Sequence, residues 1–138
     1  MGGRFNPPHS FPVLYLCLTR PCVVAELSRQ ADRQGLAASD LLPRELWEFR
    51  VELEKVLDLT DAAILDAVGL AAADLVREDH RLTQQIGEAA HEFDFQAILS
   101  RSATGVDEIL AVLPENLAGA VMTMDLVEEW RTVDDLIQ

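Results

Sequence analysis

A single α/β (α+β) domain, with a mixed sheet of about five strands packed by three or four helices, is the architecture that the sequence predicts. Three observations carry it. The length of 138 residues suits one domain that withdraws about two-thirds of its unfolded surface from water. Apolar runs of strand length alternate with stretches of helical periodicity. The composition, 49% hydrophobic and 25% charged, is that of a folded globular chain and excludes the disordered, collagen-like and coiled-coil classes. No internal repeat or low-complexity segment divides the chain, so residues 1–138 are read as one unit.

The elements follow in order. Residues 1–10 carry Gly2, Gly3, Asn6, Pro7, Pro8 and Ser10, a turn-rich composition that predicts a loop with special backbone angles. Phe11 to Leu18 reads FPVLYLCL, apolar on both faces as a buried, central strand is. Thr19 or Arg20 hands over to Pro21, which suits a helix's first turn, and Val24, Leu27, Ser28 and Ala31 repeat at helical spacing until Gly35. Trp47, Phe49, Val51 and Leu53 alternate with Glu48, Arg50 and Glu52, the period-2 pattern of a strand with one wet face. Thr60 is the expected N-cap of a short helix through AAILDAVGL, with Asp61 in its first turn, and residues 71–81 add a further turn. From Thr83, the residues Ile86, Ala89, Ala90 and Phe93 share one helical face. Phe95–Leu99, Ile109–Leu113 and Val121–Leu126 are short apolar stretches between turn residues, read as the remaining strands.

Charge narrows the function. The chain carries 24 acidic residues against 11 Lys and Arg, a formal charge of -13, which disfavours nucleic acid and anionic membranes as partners. The excess is uneven: residues 1–50 hold six Arg against five acids (+1), and residues 51–138 hold five basic against nineteen acidic residues (-14). A pocket for an anionic small molecule is therefore expected in the first third, among Arg4, Arg20, Arg29 and Arg33, although exposed helix faces are the commoner place for Arg. Cys17 and Cys22, five positions apart, match neither a disulfide framework nor a metal spacing and are read as reduced and structural. The chain opens without a signal-peptide pattern and has no apolar run of membrane-spanning length, so a cytoplasmic location is expected.

Phosphate-loop, dinucleotide-fold, zinc-protease and nucleophile-elbow motifs are all missing from the sequence. Glu88 and His91 share a helix at i, i+3, but matching ligands on other helices are not evident and a solvated pair is the plainer reading; no metal site is expected. The informative segment is GGRFNPPHSFPVLYL followed by Glu26. It offers a phosphate-gripping Arg4, an aromatic wall in Tyr15 and a carboxylate among apolar neighbours. Spacing alone leaves open that Tyr15 is plain core and that Glu26 pairs with Arg29 or Gln30.

GGRFNPPHSFPVLYL, with Glu26 of VVAEL eleven residues after Tyr15, resembles the opening signature of the RES-domain toxins. GEAAHEFDFQAILSRSATG and ILAVLPENL are similar to that family's closing segment. The resemblance implies a fold like that of the ADP-ribosyltransferase toxins and cleavage of NAD at the nicotinamide–ribose bond by phosphorolysis or hydrolysis. It implies no cofactor, with inorganic phosphate as a co-substrate of the phosphorolytic case. It also implies a cognate antitoxin, a helix-turn-helix protein, and admits homo-oligomers. Carried over by residue, the family positions fall on Arg4 and Glu26 as catalytic groups and on Arg4, Tyr15, Ser102 and Asn116 as substrate contacts.

Two departures stand out. Where the family commonly has Gly after the double Pro, this chain has His9, which puts a positive-φ position in question. The family also has a strand region and a functional Arg upstream of the GGR loop, so the expectation is a domain without its first strand region. An inactive RES-like fragment acting as a binding or vestigial domain is the alternative to an active toxin.

Overall fold

The computed structural model describes residues 2–137. Six strands, β1 (Leu14–Cys17), β2 (Arg44–Val51), β3 (Val56–Asp58), β4 (Ala97–Arg101), β5 (Glu108–Val112) and β6 (Met122–Trp130), are distributed over two sheets. Four helices, α1 (Arg20–Arg33), α2 (Ala62–Ala67), α3 (Arg81–Glu92) and α4 (Asp134–Ile137), accompany them. The larger sheet has the order β1-β5-β4-β3, antiparallel except for the parallel pairing of β3 with β4. β2 and β6 form a separate antiparallel ribbon, offset by a register shift between Leu46 and Trp47. The expected mixed α/β domain is therefore present, with the second and last predicted strands forming a sheet of their own.

Local chemistry explains the boundaries. Thr19 caps α1, accepting from the Cys22 N–H, and Pro21 sits in the first turn, where its missing N–H costs no helical bond. Gly35 follows at φ +69°, the left-handed conformation that commonly ends a helix. The short α2 is capped by Asp61, whose side chain accepts from Ala63 N–H; Thr60, expected in that role, lies one residue too early. The β1 segment also departs from expectation. Within the described residues it pairs with β5 alone, and Tyr15 is exposed, so this apolar run borders a cleft instead of filling the sheet's centre.

The face that α3 buries keeps the predicted Ile86 and Ala90 but departs from Ala89 and Phe93 for a physical reason. Thr83, Gly87 and Ala90 are its buried residues, while Ala89 is exposed and Phe93 is 64% exposed. Small residues line the buried face because the N-terminal loop lies directly on it: a Cβ on Gly87 would come 1.7 Å from the Phe5 carbonyl oxygen. Phe5 itself is 1% exposed and packs with Leu59, Leu70, Leu75, Ile98 and Leu113 in the main core. His9 takes φ +61°, so the loop keeps the left-handed turn with a side chain present, at a local cost of about 1 kcal/mol relative to Gly.

The ribbon is fastened to the rest through Arg20. Its guanidinium forks onto Glu128 at 2.9 and 3.0 Å, donates to the Asp135 and Leu136 carbonyls and lies over the Trp130 ring. Gly87→Ala is expected to destabilise the fold by about 1–3 kcal/mol, the range for forcing atoms into a packed contact, with the N-terminal loop losing protection first. Thermal unfolding combined with hydrogen exchange of residues 2–10 measures both.

Candidate functional site

The loop GGRFN is held from three sides. Tyr15 Oη accepts from Phe5 N–H at 2.9 Å and donates to Asn6 Oδ1 at 2.7 Å, while Asn6 Nδ2 donates to the Phe11 carbonyl. Thr83 Oγ1 donates to the Arg4 carbonyl at 2.6 Å, and Gln84 Nε2 donates to the Gly3 carbonyl at 2.9 Å. Gly3 has to be glycine, because a Cβ there would meet Tyr15 Oη at 2.6 Å. Arg4 is thus presented on a rigid loop, half-buried, with Nη1 donating to the Arg77 carbonyl at 3.1 Å. Burial, and then the neighbouring charge of Arg29, lower its pKa. Burial raises that of Tyr15, which stays a neutral donor.

Glu26 comes from the second turn of α1, one turn after the fully buried Cys22, and is only partly exposed. Its Oε1 accepts from Ser102 Oγ at 2.6 Å. Ser102 follows β4 directly and is 0% exposed; Thr104 Oγ1 and Thr104 N–H also bond its hydroxyl. The turn carrying Ser102 is drawn to α1 by Thr19 Oγ1, which donates to Asp107 Oδ2 at 2.9 Å. Cys17 and Cys22, free thiols with sulfurs 2.7 Å apart, pack behind this pair, and burial pushes both thiols upward in pKa.

Tyr15 and Glu26 are brought to one cleft, and Arg4 stands on the loop that the Tyr15 hydroxyl clasps, with its side chain on the Arg77 carbonyl. Charge coupling ties Arg4 to Glu26 and Tyr15, and Tyr15 and Glu26 line a cleft of about 1240 Å³ between β1, α1 and the β2–β6 ribbon. Ser102 joins them differently from expectation. Its buried hydroxyl donates to the Glu26 carboxylate, so in this structure Ser102 reaches the cleft through Glu26. Asn116 is not brought to this place: its Nδ2 donates to the carbonyls of His91 and Phe95 at 2.9 and 2.8 Å, closing the end of α3 beside a separate polar hollow. Sequence spacing missed both partnerships because each joins segments distant in the chain.

His91 is likewise absorbed into structure, stacked on Phe11 with ring centroids 4.2 Å apart and bonded to Glu115 at 2.8 Å. Among the described residues no group of three or more His, Cys, Asp or Glu side chains is arranged to hold a metal ion, and no helix is long and apolar enough to cross a membrane.

This arrangement coincides with a family match over residues 1–135 to the RES domain. The chain belongs to the RES-domain family. Its relatives include the NAD(+) phosphorylase MbcT of Mycobacterium tuberculosis and that of Mycobacterium bovis, each 33% identical over 107 residues, covering 76% of this chain. The chain spans 58% of the length of those relatives. The same fold occurs in the crystal structure of the M. tuberculosis MbcT-MbcA toxin-antitoxin complex, with a TM-score of 0.75 and 26% identity over 98% of this chain and 74% of the other.

Ser102→Ala and Asn116→Ala separate the two kinds of residue. Each is expected to cost about 1–3 kcal/mol in thermal or denaturant unfolding, since buried partners lose their hydrogen bonds. Only Ser102→Ala should also alter the cleft around Glu26, read as chemical-shift changes at Glu26 and Arg4, while Asn116→Ala leaves those signals in place.

Proposed function

We propose that this RES-domain chain cleaves NAD at the nicotinamide–ribose bond as the toxin of a toxin-antitoxin pair. The observation that carries the reading is the partly exposed Glu26 carboxylate, which is anchored by buried Ser102 and shares with Tyr15 a cleft large enough for a dinucleotide, next to the loop that carries Arg4. The RES relatives named as NAD(+) phosphorylases support the same chemistry.

Cleavage of the N-glycosidic bond expels neutral nicotinamide and builds oxocarbenium character on the ribose. A fixed carboxylate next to that carbon stabilises the developing positive charge electrostatically and accepts hydrogen bonds from ribose hydroxyls. Glu26 supplies this group. Ser102 acts through Glu26, donating to one of its oxygens so that the carboxylate meets the substrate without reorganising. The Arg4 guanidinium pairs with phosphate oxygens in a charge-assisted fork, and the Tyr15 ring packs against nicotinamide or ribose while its hydroxyl stays bound to the Arg4 loop. A leaving group that departs neutral needs neither a strong general acid nor a metal. Inorganic phosphate serves as the attacking co-substrate, as the relatives' name suggests; water in its place yields hydrolysis.

The partners that follow are NAD and an antitoxin protein of the helix-turn-helix kind that covers the cleft, in a cytoplasmic setting. The crystal structure of a toxin-antitoxin complex with the same fold supports a protein partner. The chain's charge of -13 leaves direct nucleic-acid contact unfavourable.

Nicotinamide release from NAD, followed with and without inorganic phosphate, tests the proposal. Release that depends on phosphate is expected from the unmodified chain. Glu26→Gln is expected to lower the rate about a hundredfold, the scale of a lost, well-placed electrostatic group, without a change in thermal midpoint large enough to unfold the protein. No release from a well-folded chain would favour the inactive binding module, and undiminished turnover by Glu26→Gln would make the carboxylate structural.

A further inference from the structure

We infer that Arg29, backed by Arg33, forms an anion subsite for a phosphate group, and that Glu78 occupies it in the free protein as a displaceable counter-charge. The ligand's identity rests on the NAD-cleavage reading; the subsite rests on geometry. Cys22, Glu26, Arg29 and Arg33 recur at i, i+4, i+7 and i+11 along α1, which places them on one stripe of the helix. Glu26, Arg29 and Arg33 all line the large cleft. The stripe therefore runs from the carboxylate proposed to act on the ribose to two guanidiniums further along the same wall.

Glu78 sits in the connection before α3 and reaches both arginines. Arg29 Nη2 lies 3.0 Å from Glu78 Oε1, and Arg33 Nη2 lies 4.0 Å from Glu78 Oε2. Two oxygens of one anion, each turned to a different guanidinium, is the pattern that the oxygens of a phosphate reproduce with more charge. Exposure makes the contact easy to exchange: Arg29 is 22% exposed, whereas Glu78 is 76% exposed, and such surface pairs contribute little to stability.

The surroundings reinforce the demand for an anion. Burial, and then the charge of Arg29, lower the pKa of Arg4, and the pKa of His80 is lowered by burial and then by Arg4 and Arg33. His80 Nε2 is buried with no hydrogen-bond partner among the described residues. In a chain of formal charge -13, Arg29 and Arg33 stand as two guanidiniums side by side on one anion, a local arrangement in which an anion is stabilised.

Steady-state kinetics and calorimetry on the full chain test this. Arg29→Gln is expected to raise a KM at least tenfold, the scale of a lost charge-assisted bond. A rise for NAD assigns the subsite to the dinucleotide's diphosphate, and a rise for inorganic phosphate assigns it to the co-substrate. Glu78→Gln is expected to lower the same KM about fivefold by removing the competitor, and the double variant to resemble Arg29→Gln. Titration with inorganic pyrophosphate reads the subsite without turnover. Pyrophosphate binding that weakens in Arg29→Gln upholds the subsite even where no nicotinamide is released, in which case the NAD reading alone fails. Unchanged KM values and unchanged pyrophosphate binding in Arg29→Gln, or weaker binding in Glu78→Gln, overturn the inference.

Discussion

The contact on which the site depends is the meeting of the Phe5 backbone with the bare Cα of Gly87 on α3. It lets the N-terminal loop settle onto the helix so closely that Phe5 enters the core and Thr83 and Gln84 reach the carbonyls of Arg4 and Gly3. With the loop seated, the Tyr15 hydroxyl closes it from the other side through Phe5 and Asn6. A long, flexible arginine is thereby carried on backbone that has little freedom left, which would pre-organise it for the phosphate contact proposed above. An aromatic residue usually explained by area burial is here chiefly a clasp, which accounts for its partial exposure.

A second constraint joins distant parts of the chain. Ser102 follows β4, Glu26 lies in the second turn of α1, and their 2.6 Å bond is made inside a buried corner where an unmatched hydroxyl would be costly. Under the proposed function this bond couples stability to activity, because the group that satisfies the serine also lines the cleft. The opposite wall is the β2–β6 ribbon, held by the fork of Arg20 on Glu128. Among Arg4, Arg20, Arg29 and Arg33, Arg20 is thus tied up in holding the ribbon, Arg29 and Arg33 line the cleft, and the acidic remainder of the chain leaves that region as the natural place for an anion.

Local patterns made much of this legible. The Thr19–Pro21 start and Gly35 stop of α1, the alternation along β2 and the loop chemistry of residues 2–10 all act over a few residues, where spacing is informative. The failures share a cause. The buried face of α3 was hidden because Thr83 and Gly87 are poor hydrophobic signals, and their burial follows from a loop more than 70 residues away in sequence. Phe93 shares the periodicity but follows the last residue of α3 as its C-cap and stays exposed. FPVLYLCL looked central because apolar residues fill both faces, whereas one side borders the cleft. Asn116 matched a motif position, yet its amide serves two carbonyls at the end of α3. The Glu26, Arg29, Arg33 stripe was readable as helical spacing; what it faces was not, since Glu78 arrives from a separate segment.

The proposed function puts the chemistry at Glu26, with phosphates toward the arginines. The most direct measurement is a crystal structure of the slow Glu26→Gln protein with intact NAD bound. The expected result places the ribose carbon that bears nicotinamide against the side chain at position 26, with the diphosphate extending toward Arg4 and Arg29 and Ser102 still buried and out of contact with the ligand. NAD seated in the polar hollow beside Asn116, or lying in the main cleft with its nicotinamide ribose remote from position 26, would contradict it.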